Sequence, residues 1–207
     1  MTAANVLYFL GASLALTIAP GPDNTFVVAQ GISRGRKAAI VTALGMCSGI
    51  SVHTTAAALG ISALLYSSAT AFQILKFAGA GYLLFLAWRA LKEQQILLPH
   101  GATDGRSFCS LFRRGFVMNL INPKVALFFL AFLPQFVSPG SENASLQMFF
   151  LGLLFMAQAV VVFSVFGWLS GTVGHVILKR PRIARWFGWL TAGVFASLGV
   201  RLALAER

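Results

Sequence analysis

Apolar residues in this chain do not recur with the spacing of a half-buried surface helix; they run on. Six stretches, at about residues 4–31, 38–65, 72–90, 115–137, 145–171 and 186–205, are nearly free of charge, and no Asp, Glu, Lys or Arg occurs from Ala38 through Leu75. Each is close to the ~20 residues that an α-helix needs to cross ~30 Å of hydrocarbon. A segment in lipid must satisfy its own backbone, which leaves helices or a closed barrel. The period-two alternation of barrel strands is missing. The pattern predicts an all-α integral membrane protein with six transmembrane helices in a single domain, residues 1–207. The first stretch has no basic leader and no small-residue cleavage site, so it is read as a helix and not as a signal peptide.

The polar positions add direction. Arg34, Arg36 and Lys37 follow the first stretch, Arg89, Lys92, Arg106, Arg113 and Arg114 lie between the third and fourth, and Lys179, Arg180, Arg182 and Arg185 precede the sixth. The alternate connections carry almost no charge. Basic loops stay in the cytoplasm, which places both termini in the periplasm, with Lys76 and Arg201 snorkelling near that face. The polar stretch 92–110 reads as a cytoplasmic linker between two halves of three helices. Three plus three across such a linker gives oppositely oriented halves, an inverted repeat. A break sits in the first helix of each half: Pro20-Gly21-Pro22-Asp23-Asn24 in helix one and Asn122-Pro123-Lys124 in helix four.

Composition excludes the alternatives to a membrane protein. Hydrophobic residues make up 57% of the chain and charged residues 10%, against about 25% charged in soluble domains. The net charge of +11 would suggest nucleic acid in a soluble protein, but here the basic residues fill the loops and no nucleic-acid motif is present. Cys47 and Cys109 have neither a CxxC partner nor metal-ligand spacing. No catalytic constellation, metal site or cofactor is expected.

Interrupted helices at corresponding positions point to a transporter site, and the prolines free carbonyls one turn earlier by removing backbone donors. Asp23 and Lys124 stand one residue after the breaks. A charge at the centre of a span costs about 2.5–3.5 kcal/mol on the insertion scale, so it is expected to face a partner or a wet cavity. Two readings of each remain. Asp23 lies about 27 Å along the first helix, where it either caps the segment restarting after Pro22 near the headgroups or faces the interface. Lys124 lies ~15 Å deep, where it either snorkels or meets Asp23. In the second reading Asp23, Asn24 and freed carbonyls receive the ammonium of an amino-acid-like substrate, while Lys124, Asn122 and helix N-terminal amides receive its carboxylate. His53, intramembrane and titrating near neutrality, is the other candidate proton carrier beside Asp23, or else a donor to a neighbouring helix. Gln158 is a candidate counterpart of His53 in the other half, at a different spacing from the break. Gln30 and Asn119 read as interhelical hydrogen-bonding residues. Gly31-x-x-x-Gly35, Gly45-x-x-x-Gly49 and Gly167-x-x-x-Gly171 suit close packing within the chain or between two copies in a homodimer. An exporter of cations or another small solute, or a membrane scaffold, are the rival readings.

Taken with Gly31-x-x-x-Gly35-x-Lys37, Gly45, Lys76-Phe77-Ala78-Gly79-Ala80-Gly81-Tyr82-Leu83, Asn119 to Lys124 and Phe132-Leu133-Pro134-Gln135-Phe136, the two breaks make the chain resemble the lysine-exporter superfamily, in its homoserine/threonine efflux branch. The resemblance covers nearly the whole chain. It implies export of amino acids or derivatives across a bacterial inner membrane, driven by exchange for protons through alternating access. The stretch through His53 resembles the homoserine and homoserine-lactone exporters, and the Pro-Gly-Pro-Asp-Asn element the threonine exporters, so the substrate stays open.

Overall fold

The computed structural model describes residues 1–19, 21–61, 69–92, 107–137, 141, 143–170 and 181–204. Pro20, Gly171 and most of the expected linker, 93–106, lie outside the described residues, as do 62–65 and 205 at the ends of two expected helices. Among the described residues the regular structure is entirely helical: α1 (Ala3–Ile18), α2 (Pro22–Arg34), α3 (Arg36–Ala56), α4 (Ala69–Lys92), α5 (Phe108–Leu120), α6 (Pro123–Leu127), α7 (Ala144–Ser170) and α8 (Pro181–Leu204). π-helical turns follow α3 at Ala57–Ile61 and α6 at Phe128–Phe132, and a 3-10 turn spans Leu133–Phe136.

Local chemistry sets the ends. The Thr2 hydroxyl caps α1 by accepting from the Asn5 N–H, as Ser107 caps α5 by accepting from Ser110. Pro22 and Pro123 start α2 and α6 at the position where a missing N–H is harmless. Gly35, at φ +85°, ends α2 in the conformation that favours glycine. The fourth apolar stretch begins at Phe108 and not at residue 115, because the Ser107 cap draws Arg113 and Arg114 into the first turns of α5.

Among the described residues, three helices are long and apolar enough to cross a membrane, or up to five if the bent pairs α1–α2 and α5 with Pro123–Phe136 each count as one span. Both pairs bend by more than 40°, the second by 49°. Large apolar residues face outward on α1, α4, α7 and α8: Leu7, Ile74, Trp88, Leu146, Val161, Trp186 and Trp189 are all exposed.

The tightest contact joins α3 to α5. A Cβ on Gly45 would run into the Phe112 carbonyl, and one on Gly115 into the Thr42 carbonyl. The Gly45 and Gly49 spacing thus serves packing inside the chain. α3 also lies against α7, α4 against α8, and α1 against α7 and α8. Phe9, Phe128, Phe129, Phe132, Phe136 and Phe155 form an aromatic core beside α1. Lys76, expected to snorkel, is instead buried, its ammonium 4.6 Å from the Phe77 ring centroid. Arg201 is exposed and lies over the Tyr8 ring at 5.0 Å.

Candidate functional site

Each proline deletes an N–H that, in a continuous helix, would bond the carbonyl four residues earlier. By residue type alone, Pro20 strands the Leu16 carbonyl, Pro22 that of Ile18 and Pro123 that of Asn119. All three meet a side-chain nitrogen. The Lys124 ammonium donates to the Leu16 carbonyl at 2.9 Å and to that of Ala19 at 3.2 Å. The Asn24 amide shares its protons among the carbonyls of Thr17, Ile18 and Ala19 at 2.9, 3.1 and 3.1 Å. His53 Nε2 lies 3.1 Å from the Asn119 carbonyl. A carbonyl only accepts, so that nitrogen carries a proton.

The charges gather at this junction. Asp23 is 3% exposed and Lys124 7%. Asp23 Oδ2 accepts from the Asn119 amide at 3.2 Å. Asn122 Oδ1 accepts from the Lys124 backbone N–H at 3.0 Å, capping α6. The Asn122 amide nitrogen lies near the Asp23 carboxylate, short of hydrogen-bonding geometry. Lys124 acts electrostatically on that carboxylate, but its ammonium is spent on backbone carbonyls and the two form no direct ion pair. Their placement suits the helix dipoles: Asp23 is in the first turn of α2, and Lys124 reaches the C-terminal end of α1. Gly21 makes room, since a Cβ there would sit 3.3 Å from Lys124 Nζ.

Four atoms of the cluster, Asp23 Oδ1, Asn24 Oδ1, Asn119 Oδ1 and Asn122 Nδ2, are buried without a hydrogen-bonding partner among the described residues. Each such group costs about 1–3 kcal/mol, a cost expected where a polar ligand binds. A buried carboxylate, helix-end carbonyls held by side-chain nitrogens and an ammonium on a long side chain can read both ends of a zwitterion. Among the described residues no three His, Cys, Asp or Glu side chains come together as a metal site would require.

Asp23, Asn24, Asn122, Lys124 and His53 therefore meet around the two breaks, with Gly21, Pro22 and Pro123 between them. Asn119 is the residue undervalued from sequence: its side chain holds Asp23 and its carbonyl holds His53. Its place four residues before Pro123 was the available signal. Gln158 donates to the Thr17 hydroxyl at 2.8 Å and approaches the Ser13 carbonyl at 3.5 Å, so α7 fastens the end of α1 as α3 fastens the end of α5.

Residues 14–206 match the LysE type translocator family. The chain is 29% identical over 198 residues to a homoserine/homoserine lactone efflux protein of Salmonella typhimurium, covering 96% of this chain and 95% of the relative. It is 28% identical over 201 residues to a leucine efflux protein of the same organism, covering 96% and 94%. An uncharacterized membrane protein of Vibrio cholerae is 28% identical over 200 residues, 97% of each chain. No solved structure matches.

Proposed function

Because the chain belongs to the LysE type translocator family, we propose that this integral membrane protein is a secondary transporter that exports amino acids or their derivatives, such as threonine, homoserine or homoserine lactone, from the cytoplasm in exchange for protons. The efflux proteins among its relatives support the solute class. The carrying observation is the junction itself: a buried ammonium from one break held on the carbonyls of the other, with a buried carboxylate beside it.

In this reading α1–α2, α3 and α4 form one half and α5–α6, α7 and α8 the other, six spans arranged as an inverted repeat in a single domain. The basic segments, including 92–110, face the cytoplasm of a bacterial inner membrane and both termini face the periplasm. Asp23, Asn24, Asn122 and Lys124 bind substrate at the midplane. The proton is assigned to Asp23, which has an unpartnered oxygen; His53 is engaged with a carbonyl and positions the second break. Alternating access then exposes the junction to either side in turn.

The test is efflux of labelled threonine, homoserine and leucine from proteoliposomes under an imposed pH gradient. Flux of at least one should follow the gradient. Flux that ignores it removes proton exchange. Wild-type rates from properly inserted Asp23→Asn and Lys124→Met proteins remove the site.

A further inference from the structure

The Lys124 ammonium occupies the place that the export reading gives to the substrate. It sits on the Leu16 and Ala19 carbonyls and acts electrostatically on the Asp23 carboxylate, whose Oδ1 is buried without a hydrogen-bonding partner among the described residues. A primary ammonium on that cradle is chemically what the amino group of an amino acid would be. The Lys124 backbone N–H, meanwhile, is held by Asn122 Oδ1, and the Asn122 amide nitrogen, near the Asp23 carboxylate, is a donor without a hydrogen-bonding partner among the described residues.

We propose that Lys124 is a tethered stand-in for the substrate's ammonium, filling the α1 cradle until an amino acid's own ammonium displaces it, whereupon Lys124 and Asn122 bind that amino acid's carboxylate. This rests on the amino-acid export reading. The exchange keeps every charge matched. Two cations cannot share the cradle, so the incoming ammonium ejects the lysine, and the ejected lysine, still buried, needs an anion. The amino acid brings that anion attached. An amine without a carboxylate ejects Lys124 and leaves it unpaired. A carboxylate without an amine draws Lys124 away and leaves the Leu16 carbonyl bare. The site therefore selects solutes that carry a free ammonium and a free carboxylate together, which narrows the export reading to threonine, homoserine and similar amino acids in preference to homoserine lactone and esters.

The test is thermal stabilisation of the full chain in detergent, titrated with L-leucine, L-leucine methyl ester, 4-methylpentanoate, L-homoserine and homoserine lactone. In the wild type the midpoint for at least one amino acid should be tenfold or more below that for its ester or lactone, with no response to 4-methylpentanoate. In Lys124→Met, and in Lys124→Gln should the first fail to fold, the preference should invert, because the cradle is open and no cation awaits a carboxylate. Equal wild-type responses to the amino acid and to its ester or lactone overturn the proposal, with or without folded variants, as does a variant that keeps the wild-type preference. Stabilisation by amino acids without discrimination, or no response to any of the five, sinks this inference alone; the export reading falls separately, if none of threonine, homoserine and leucine leaves the proteoliposomes.

Discussion

The two breaks solve the same problem in different ways. After α5 the chain largely repairs itself: the Ile121 N–H bonds the Val117 carbonyl, the Asn122 N–H bonds that of Asn119, and the Ala126 N–H bonds that of Asn122. His53 adds one bond from outside. After α1 the carbonyls of Leu16, Thr17, Ile18 and Ala19 are covered by two side chains, Asn24 and Lys124, the latter from the opposite break. A break closed by its own backbone is a fixed support. One closed by a long side chain with four rotatable bonds can be opened and closed again. Ligand exchange is therefore expected at the first break, and the second provides the reference against which it moves.

The largest effect should come from removing one charge at the junction. Asp23→Asn or Lys124→Met leaves the other ion buried without its counter-charge, a loss of about 3 kcal/mol. Export in proteoliposomes should fall by roughly two orders of magnitude. The double variant should regain melting temperature relative to either single variant, without regaining export. Next comes the fixed support. Gly45→Ala pushes a methyl group against the Phe112 carbonyl, and the melting temperature should drop by the equivalent of about 1–3 kcal/mol. Gly11→Ala, with open space around its added carbon, should melt like the wild type.

Smaller effects separate positioning from proton carriage. His53→Leu removes one donor from a carbonyl that keeps its backbone partner, so a loss of about 1 kcal/mol is expected in thermal stability. His53→Gln retains a donor and should keep the pH dependence of export. A His53→Gln protein that exports without regard to pH would move the proton from Asp23 to His53. The smallest change is expected from Gln158→Leu, roughly 0.6 kcal/mol if it follows other interhelical bonds in membranes, read as a slight fall in melting temperature.

Much of this was legible in the sequence because its causes are local. Pro20, Pro22 and Pro123 announce which carbonyls lose their donors, and Asp23 and Lys124 are conspicuous in an apolar context. The partners were not legible, because they are fixed by tertiary distance. Nothing in the pattern says that Lys124 reaches past Asp23 to the Leu16 carbonyl, or that Asn119 and not Asn122 hydrogen-bonds Asp23. The burial of Lys76 is hidden for the same reason: it depends on how the helix is turned within the fold, which composition does not record. The apolar pattern alone starts the fourth stretch at residue 115, because Arg113 and Arg114 look like loop residues, and the Ser107 cap starts the helix at Phe108.

One consequence follows from the glycines that bring α3 and α5 together. At Gly45 and Gly115 the two backbones touch with no side chain interposed, so there are few rotamers to absorb sliding, and on the export reading these helices are expected to turn as one strut. His53 and Asn119 ride on that strut as a single piece. On the proposed alternating access, a swing that admits solvent first from one side and then from the other is expected to hinge around it, carrying the perch of the lysine past a carboxylate clamp whose Asn119 arm stays still.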